Sequence, residues 1–265
     1  MTQPNRIQVE RSGAVLRLRL ARPDQGNAID LAFGHELEAA VGQVDPDVRC
    51  VAVVADGKNF CVGGNVRGFA AAEDTEAHLA EVADALHAGL TALTALEVPV
   101  VIGVQGWAAG AGMSLALVAD ILLLERSARL RTAYTGIGLS PDGGMTWTLP
   151  RAVGQARAMD LFLTNRPMDA DEALATGLAS RLVSDGAVQT DVDALAGVLA
   201  AGPVEAHRNL KRLVRQGRNR SYAEQLPDEG RTIAALSAGP EGQEGIASFL
   251  ERRPPRFEQA VGHPE

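Results

Sequence analysis

Apolar and polar residues alternate along two N-terminal stretches, 7–10 and 14–20, on either side of Ser12-Gly13. Alternation with a turn in between is typical of a β-hairpin, because successive side chains of a strand point to opposite faces. Two later stretches, 49–55 and 100–104, are apolar at nearly every position and rich in valine. Continuous apolar runs of this length, rich in β-branched residues, indicate buried strands.

Helical patterns lie between and after these strands. Asp30–Val44 is predicted as a helix with Asp30 at its N-cap, and the alanine-rich stretch Thr75–Leu96 as a second helix. Shorter predicted elements are the helix 111–119 and the strands 121–124, 128–131 and 179–183. From about Gln189 onward the pattern is entirely helical. We therefore expect an α/β core in residues 1–188 and a C-terminal helical region in residues 189–265.

Composition and charge narrow the function classes. The 265 residues carry 25 Lys and Arg against 33 Asp and Glu, a formal net charge of −8 at pH 7. Nucleic acid binds basic patches, so it is not an expected partner, and the arginine-rich stretch 208–220 is interpreted as a solvated helix face. Cys50 and Cys61 have neither disulfide nor C-x-x-C spacing. Without a signal-peptide or membrane-spanning run, the expectation is a cytoplasmic protein with no membrane partner.

A glycine-rich turn follows the strand 100–104. Gly106, Gly110 and Gly112 lie within seven residues and lead into an apolar helix. Glycine lets a backbone approach a ligand closely, and the start of a helix leaves its first N–H groups unpaired. Such N–H groups can stabilise an oxyanion that develops during a reaction. The turn lacks the third glycine of a dinucleotide fingerprint, so NAD is not expected, and no histidine pair has metal-ligand spacing.

A second glycine turn, Gly63-Gly64, follows the strand 49–55. Two strand-end turns that each present an N–H group would form a two-donor oxyanion hole. The segments 60–67 and 106–120 together resemble the enoyl-CoA hydratase/isomerase (crotonase) superfamily. The resemblance implies that the N–H groups of Gly64 and Ala111 hold the oxygen of a thioester enolate.

The resemblance extends along nearly the whole chain, with further matching segments in the family's order at 21–30, 138–144, 149–154, 163–179 and 244–253. It implies a crotonase-type spiral of ββα units and a C-terminal helical region that forms a homotrimer or a hexamer. It also implies an acyl-CoA thioester as substrate, with no other cofactor. The implied substrate and CoA contacts are Arg22, Asn27, Ala28, Val62, Gly63, Asn65, Val66, Arg67, Trp107, Gly110 and Ser114.

Two positions depart from the hydratases of this family, which use two carboxylates to hold and deprotonate a water. The matching positions hold Ser114 and Tyr134. Tyrosine is a poor base at neutral pH because its ordinary pKa is about 10. Asp142 is the remaining carboxylate, and members that resemble the phenylacetate-pathway isomerase keep an aspartate in this Gly-Leu-x-Pro-Asp context. Asp142 and Tyr134 are therefore the catalytic candidates, and an enoyl-CoA isomerase is favoured.

Alternatives remain for these residues and for the function. The Asp142 side chain is alternatively the cap of a following helix, since Pro-Asp-Gly-Gly is a turn sequence. His87 is interpreted as a surface residue, with contact to the acyl pocket as the alternative, and Cys61 as a buried structural thiol. The pocket is expected to be shaped by residues 69–86, Trp107, Tyr134 and Trp147. Hydration, thioester hydrolysis, carbon–carbon bond chemistry and acyl-CoA binding without catalysis are the other functions left open.

Overall fold

The computed structural model describes residues 5–257 of the chain. Its strands are β1 (Ile7–Ser12), β2 (Val15–Leu20), β3 (Cys50–Ala55), β4 (Val100–Val104), β5 (Trp107–Ala109), β6 (Ile121–Glu125), β7 (Arg129–Arg131), β8 (Met168–Asp169) and β9 (Arg181–Val183). Its helices are α1 (Leu31–Val41), α2 (Val66–Ala71), α3 (Thr75–Ala95), α4 (Ala111–Ala116), α5 (Met145–Val153), α6 (Gln155–Thr164), α7 (Ala170–Ala175), α8 (Val188–Ala200), α9 (Val204–Gly217), α10 (Tyr222–Ala238) and α11 (Pro240–Glu251). The expected α/β class is confirmed.

The strands form two sheets. The larger has the order β1-β2-β3-β4-β6-β9 and the smaller the order β5-β7-β8. β1 and β2 form the predicted antiparallel hairpin, and every further pair of the larger sheet is parallel. β3 and β4 are buried at every residue, as their continuous apolar runs predicted. One face of the larger sheet packs in the main core with α1 and α3, and α8 covers the other face.

The predicted helices begin at the expected residues and end earlier. Asp30 is the N-cap of α1, and its carboxylate accepts a hydrogen bond from the Phe33 N–H at 2.9 Å. α1 ends at Val41, before Gly42, and α4 ends at Ala116 rather than at residue 119. The short elements α2, β5 and β8 were not predicted, because two to six residues carry too little periodicity. Across residues 5–257, none of the helices combines the length and apolar content needed to cross a bilayer.

α1 and α3 pack closely against each other at Gly34 and Ala85. A Cβ atom placed on Gly34 of α1 would lie 2.6 Å from the carbonyl carbon of Ala85 in α3. Only glycine therefore allows the two backbones to approach this closely. Leu86 and His87 follow Ala85 directly, so this contact also sets where their side chains lie.

A buried carboxylate joins α11 to the start of α9. Glu241, 6% exposed, accepts hydrogen bonds from the N–H groups of Val204 and Glu205, each at 2.9 Å, and its Oε1 lies 3.4 Å from Nη2 of Arg49. Glu241→Ala is expected to lower the free energy of unfolding by about 3 kcal/mol, because it leaves the N–H groups of Val204 and Glu205 without an acceptor and removes the carboxylate beside the Arg49 guanidinium, which keeps its bonds to the Ala200 and Gly202 carbonyls. Urea denaturation measures this. Glu229→Ala on the exposed surface of α10 is the control and should change stability by less than about 0.5 kcal/mol.

Candidate active site

The two glycine turns meet at one edge of the larger sheet. β3 and β4 are parallel neighbours, so their carboxyl ends lie side by side. The turns that follow them are paired: the Cys61 N–H donates to the Trp107 carbonyl at 3.0 Å, and the Ala109 N–H donates to the Cys61 carbonyl at 2.9 Å. This pairing places Gly64 and Ala111 on the lining of one cavity.

Two glycines make the close approach of the turns possible. Gly63 has φ of +102°, and a Cβ atom there would lie 2.9 Å from the Ala109 carbonyl oxygen. A Cβ atom on Gly112 would overlap the Cys61 carbonyl. Any larger residue at either position would therefore push the turns apart and misalign the N–H groups that they present.

Backbone N–H groups of both turns are available to a ligand. Within residues 5–257, neither the Gly64 N–H nor the Ala111 N–H donates to a protein acceptor. Ala111 is the first residue of α4, where the helix supplies no internal acceptor for its N–H. Two such donors on one cavity are what an oxyanion hole requires.

The cavity between the turns and α3 has a volume of about 180 Å³. Its walls are largely apolar. Aliphatic and aromatic side chains supply most of them: Ile29, Val62, Val66, Phe69, Val82, Leu86, Ile137 and Leu139. Asp142 provides the carboxylate in this lining and Tyr134 the hydroxyl. The cavity therefore suits an apolar group and presents one acidic side chain to it.

Ser114 and Tyr134 both contact the backbone of Asp142. The Ser114 Oγ donates to the Asp142 carbonyl oxygen at 2.7 Å, and the Tyr134 hydroxyl donates to the same oxygen at 3.3 Å. Ser114 is only 1% exposed. Burial raises the pKa of Tyr134 to about 12, so its hydroxyl stays protonated near neutral pH. These two side chains hold the peptide of Asp142 in place.

His87 contacts the carboxylate itself, which the sequence analysis did not anticipate. Its Nε2 lies 2.6 Å from Oδ1 of Asp142, with the two side chains 47% and 35% exposed. The alternative role of Asp142 as a helix cap is not observed. The N-cap of α5 is Gly144, which has no side-chain hydrogen bond, and Asp142 is one of the residues that line the cavity.

The family model for enoyl-CoA hydratase/isomerase matches residues 10–260. The chain belongs to this family. It is 38% identical over 253 residues to a "Probable enoyl-CoA hydratase" of Rhodobacter capsulatus, covering 95% of this chain and 97% of that protein. It is 32% identical over 250 residues to a 1,2-epoxyphenylacetyl-CoA isomerase of Escherichia coli, covering 92% and 94%. The crystal structure of an enoyl-CoA hydratase from Polaromonas superimposes with a TM-score of 0.89 at 30% identity, covering 94% of this chain and 98% of that one. The expected crotonase-type fold is thereby confirmed.

A second cleft lies beside the cavity and shares Gly64 and Val66 with it. The cleft is lined by Asp24, Gln25, Ala28, Gly64, Asn65, Val66, Arg67 and Gly68. Asn65 also caps α2, since its Oδ1 accepts a hydrogen bond from the Gly68 N–H at 3.2 Å. Gly110, with φ of +51°, forms the N-cap of α4 and lines the inner cavity with Val62 and Gly63.

Asn27 and Arg22 are buried residues of the N-terminal segment that precedes α1. The Asn27 Oδ1 accepts from the Arg22 N–H at 2.9 Å, and its Nδ2 donates to three backbone carbonyls, those of Asp56, Asn59 and Phe60. Asn27 therefore ties the N-terminal segment to residues 56–60, which lead into the Gly63-Gly64 turn. Arg22 is buried, and its Nη1 has no hydrogen-bond partner within the part of the chain that the structure describes.

Other predicted residues lie elsewhere. Trp107 is on β5, where its N–H donates to Oδ1 of Asn59 at 3.2 Å, outside the cavity lining. The expected contribution of Trp147 to the pocket is wrong. Trp147 points to a different cleft, where Arg151 and Arg218 stack on its ring at 4.2 and 4.9 Å.

Cys61 is a buried thiol, and burial raises its pKa to about 12. It is therefore a protonated packing group at neutral pH, as the sequence predicted. Among residues 5–257, no group of three or more His, Cys, Asp or Glu side chains is placed to hold a metal ion.

Proposed function

We propose that this chain is an enoyl-CoA isomerase that shifts a double bond with Asp142 as the proton shuttle. Asp142 lines the same cavity as Gly64 and Ala111. The two positions that carry carboxylates in hydratases are Ser114 and Tyr134 here, and their hydroxyls donate hydrogen bonds to the Asp142 carbonyl oxygen. That observation carries the proposal. One base in an apolar cavity suits a proton transfer between two carbons better than the activation of a water by two carboxylates.

The proposed steps need no further co-reactant. The Asp142 carboxylate takes a proton from C2 of a 3-enoyl thioester, and the C2–H electron pair forms a dienolate. The N–H groups of Gly64 and Ala111 donate to the enolate oxygen. Protonated Asp142 then returns its proton to C4, which yields the 2-enoyl thioester. The 1,2-epoxyphenylacetyl-CoA isomerase relative supports an isomerase assignment.

Hydration is the second candidate, supported by the hydratase relatives in sequence and structure. Product analysis separates the two. NMR of a 3-enoyl-CoA and of a 2-enoyl-CoA incubated with the protein identifies double-bond migration or a 3-hydroxyacyl product. A dominant 3-hydroxyacyl product would overturn the isomerase proposal. Binding of both esters without turnover would indicate that the protein binds acyl-CoA without catalysing a reaction.

The acyl group is expected to be small. A cavity of about 150 Å³ holds a benzene molecule, and the cavity here is about 180 Å³. We therefore expect kcat/KM to be highest for acyl groups of about six carbons or a single ring, and at least about tenfold lower for ten-carbon chains. Steady-state kinetics over a chain-length series measures this. Val82→Ala, which enlarges the cavity wall, should recover part of the loss for the longer chain.

A homotrimer or hexamer remains the proposed assembly. Several large apolar side chains of the C-terminal helices are exposed: Leu210, Val214, Ile233, Phe249 and Leu250. Leu210 lines one groove with Ile233 and another with Val214, and exposed apolar surface of this kind supports an interaction site. Light scattering of the purified protein measures the assembly, and a monomer at micromolar concentration would contradict the proposal.

A further inference from the structure

The carboxylate of Asp142 makes its side-chain contact with a residue that lies 55 positions earlier in the chain. Nε2 of His87, on α3, is 2.6 Å from Oδ1 of Asp142. Within residues 5–257, Oδ2 of Asp142 has no hydrogen-bond partner. The imidazole therefore engages one carboxylate oxygen and leaves the other available to the substrate.

The segment around Asp142 needs such a contact. Asp142 is followed by Gly143 and Gly144, both at positive φ, and its carboxylate is 35% exposed. Ser114 and Tyr134 fix only its carbonyl oxygen. The N–H groups at the start of α5 have no side-chain cap and would attract a free carboxylate. Without a second anchor, the side chain can turn away from the cavity toward that helix end.

The anchor itself is held firmly. His87 follows Leu86, which is buried and lines the cavity, and Ala85, which packs against Gly34 of α1. α3 therefore presents the imidazole from a fixed backbone position, although half of its ring faces solvent. A base that is already held in position raises the reaction rate, since a displacement of a reacting group by 1 Å can lower the rate about 10²-fold.

We propose that His87 is a positioning residue that holds the Asp142 carboxylate toward the bound acyl group. The proposal rests on the proposed function, in which Asp142 is the base. His87 acts through the carboxylate and does not exchange a proton with the substrate.

Two substitutions at position 87 separate this role from general packing. His87→Leu removes the hydrogen bond, and we expect kcat to fall by about 10- to 100-fold while KM stays within about threefold. His87→Gln keeps a neutral donor, so it should recover most of kcat. Equal loss in both variants, or an unchanged kcat in His87→Leu, would overturn the proposal.

The double variant tests whether His87 acts through Asp142. In an Asp142→Asn background, His87→Leu should cause almost no additional loss, because the carboxylate that it positions is already gone. Independent, multiplicative losses would overturn the proposal.

A crystal structure of His87→Leu tests the positioning role independently of which reaction the protein catalyses. We expect the Asp142 side chain to leave its wild-type position and approach the N–H groups at the start of α5. An unmoved carboxylate would overturn the positioning role even if isomerase activity is found. A moved carboxylate would support it even if the reaction proves to be another one.

Discussion

Asp142→Asn is expected to lower the rate of double-bond migration by about 10³-fold, within the range that a positioned general base contributes. Asparagine has nearly the same shape and its Oδ1 still accepts a hydrogen bond from His87, but it cannot take a proton from C2. The acyl group should bind as before, so KM is expected to change little. Initial rates with a 3-enoyl-CoA measure both constants.

Asp84→Asn is the matched control for this substitution. Asp84 is an exposed carboxylate on α3, one turn from His87 and outside the cavity lining. Its removal changes the net charge by the same amount and should leave kcat within about twofold. If Asp142→Asn retains the wild-type rate, the base is another group and the proposed mechanism fails.

Ala111→Pro is expected to lower kcat by about 10²- to 10³-fold, the loss associated with removing one oxyanion donor. A backbone N–H cannot normally be deleted by substitution, but proline has none. Ala111 is the first residue of α4, where proline is well tolerated because the missing N–H has no partner within the helix. Gly110 precedes it and has the conformational freedom to adapt to the ring.

Ala111→Gly controls for the lost side chain, since it keeps the N–H group and should leave kcat within a few fold. Thermal denaturation of both variants shows whether α4 stays folded. If Ala111→Pro is folded and fully active, the second donor of the proposed oxyanion hole does not stabilise the transition state.

Local pattern was enough to predict the elements that frame the site. The hairpin β1–β2 and the buried strands β3 and β4 follow from period-two and continuous apolar runs, and Asp30 is a cap because its carboxylate reaches the Phe33 N–H. The turns around Gly64 and Ala111 were brought together by the resemblance to the family, and the parallel pairing of β3 with β4 accounts for their closeness. These features depend on residues close together in sequence or on one sheet edge.

The contacts of Asp142 could not be predicted in the same way. His87 reaches it from a helix 55 residues away, and the position of that helix depends on the tight contact of Gly34 with Ala85. The replacement of two carboxylates by Ser114 and Tyr134 was visible in the sequence. The sequence did not reveal that both hydroxyls donate to the carbonyl of Asp142, because these hydrogen bonds depend on how the segment with Tyr134 and Asp142 packs beside Ser114 of α4.

The role of Asp142 as proton shuttle is tested by incubating wild-type protein and Asp142→Asn with a 3-enoyl-CoA in D₂O and following both reactions by NMR. We expect wild type to form the 2-enoyl isomer and Asp142→Asn to form almost none. Deuterium should enter C4 of the acyl chain only where protonated Asp142 exchanges with solvent before it returns its proton. Equal formation of the 2-enoyl isomer by both proteins would contradict the assignment of Asp142 as the proton shuttle.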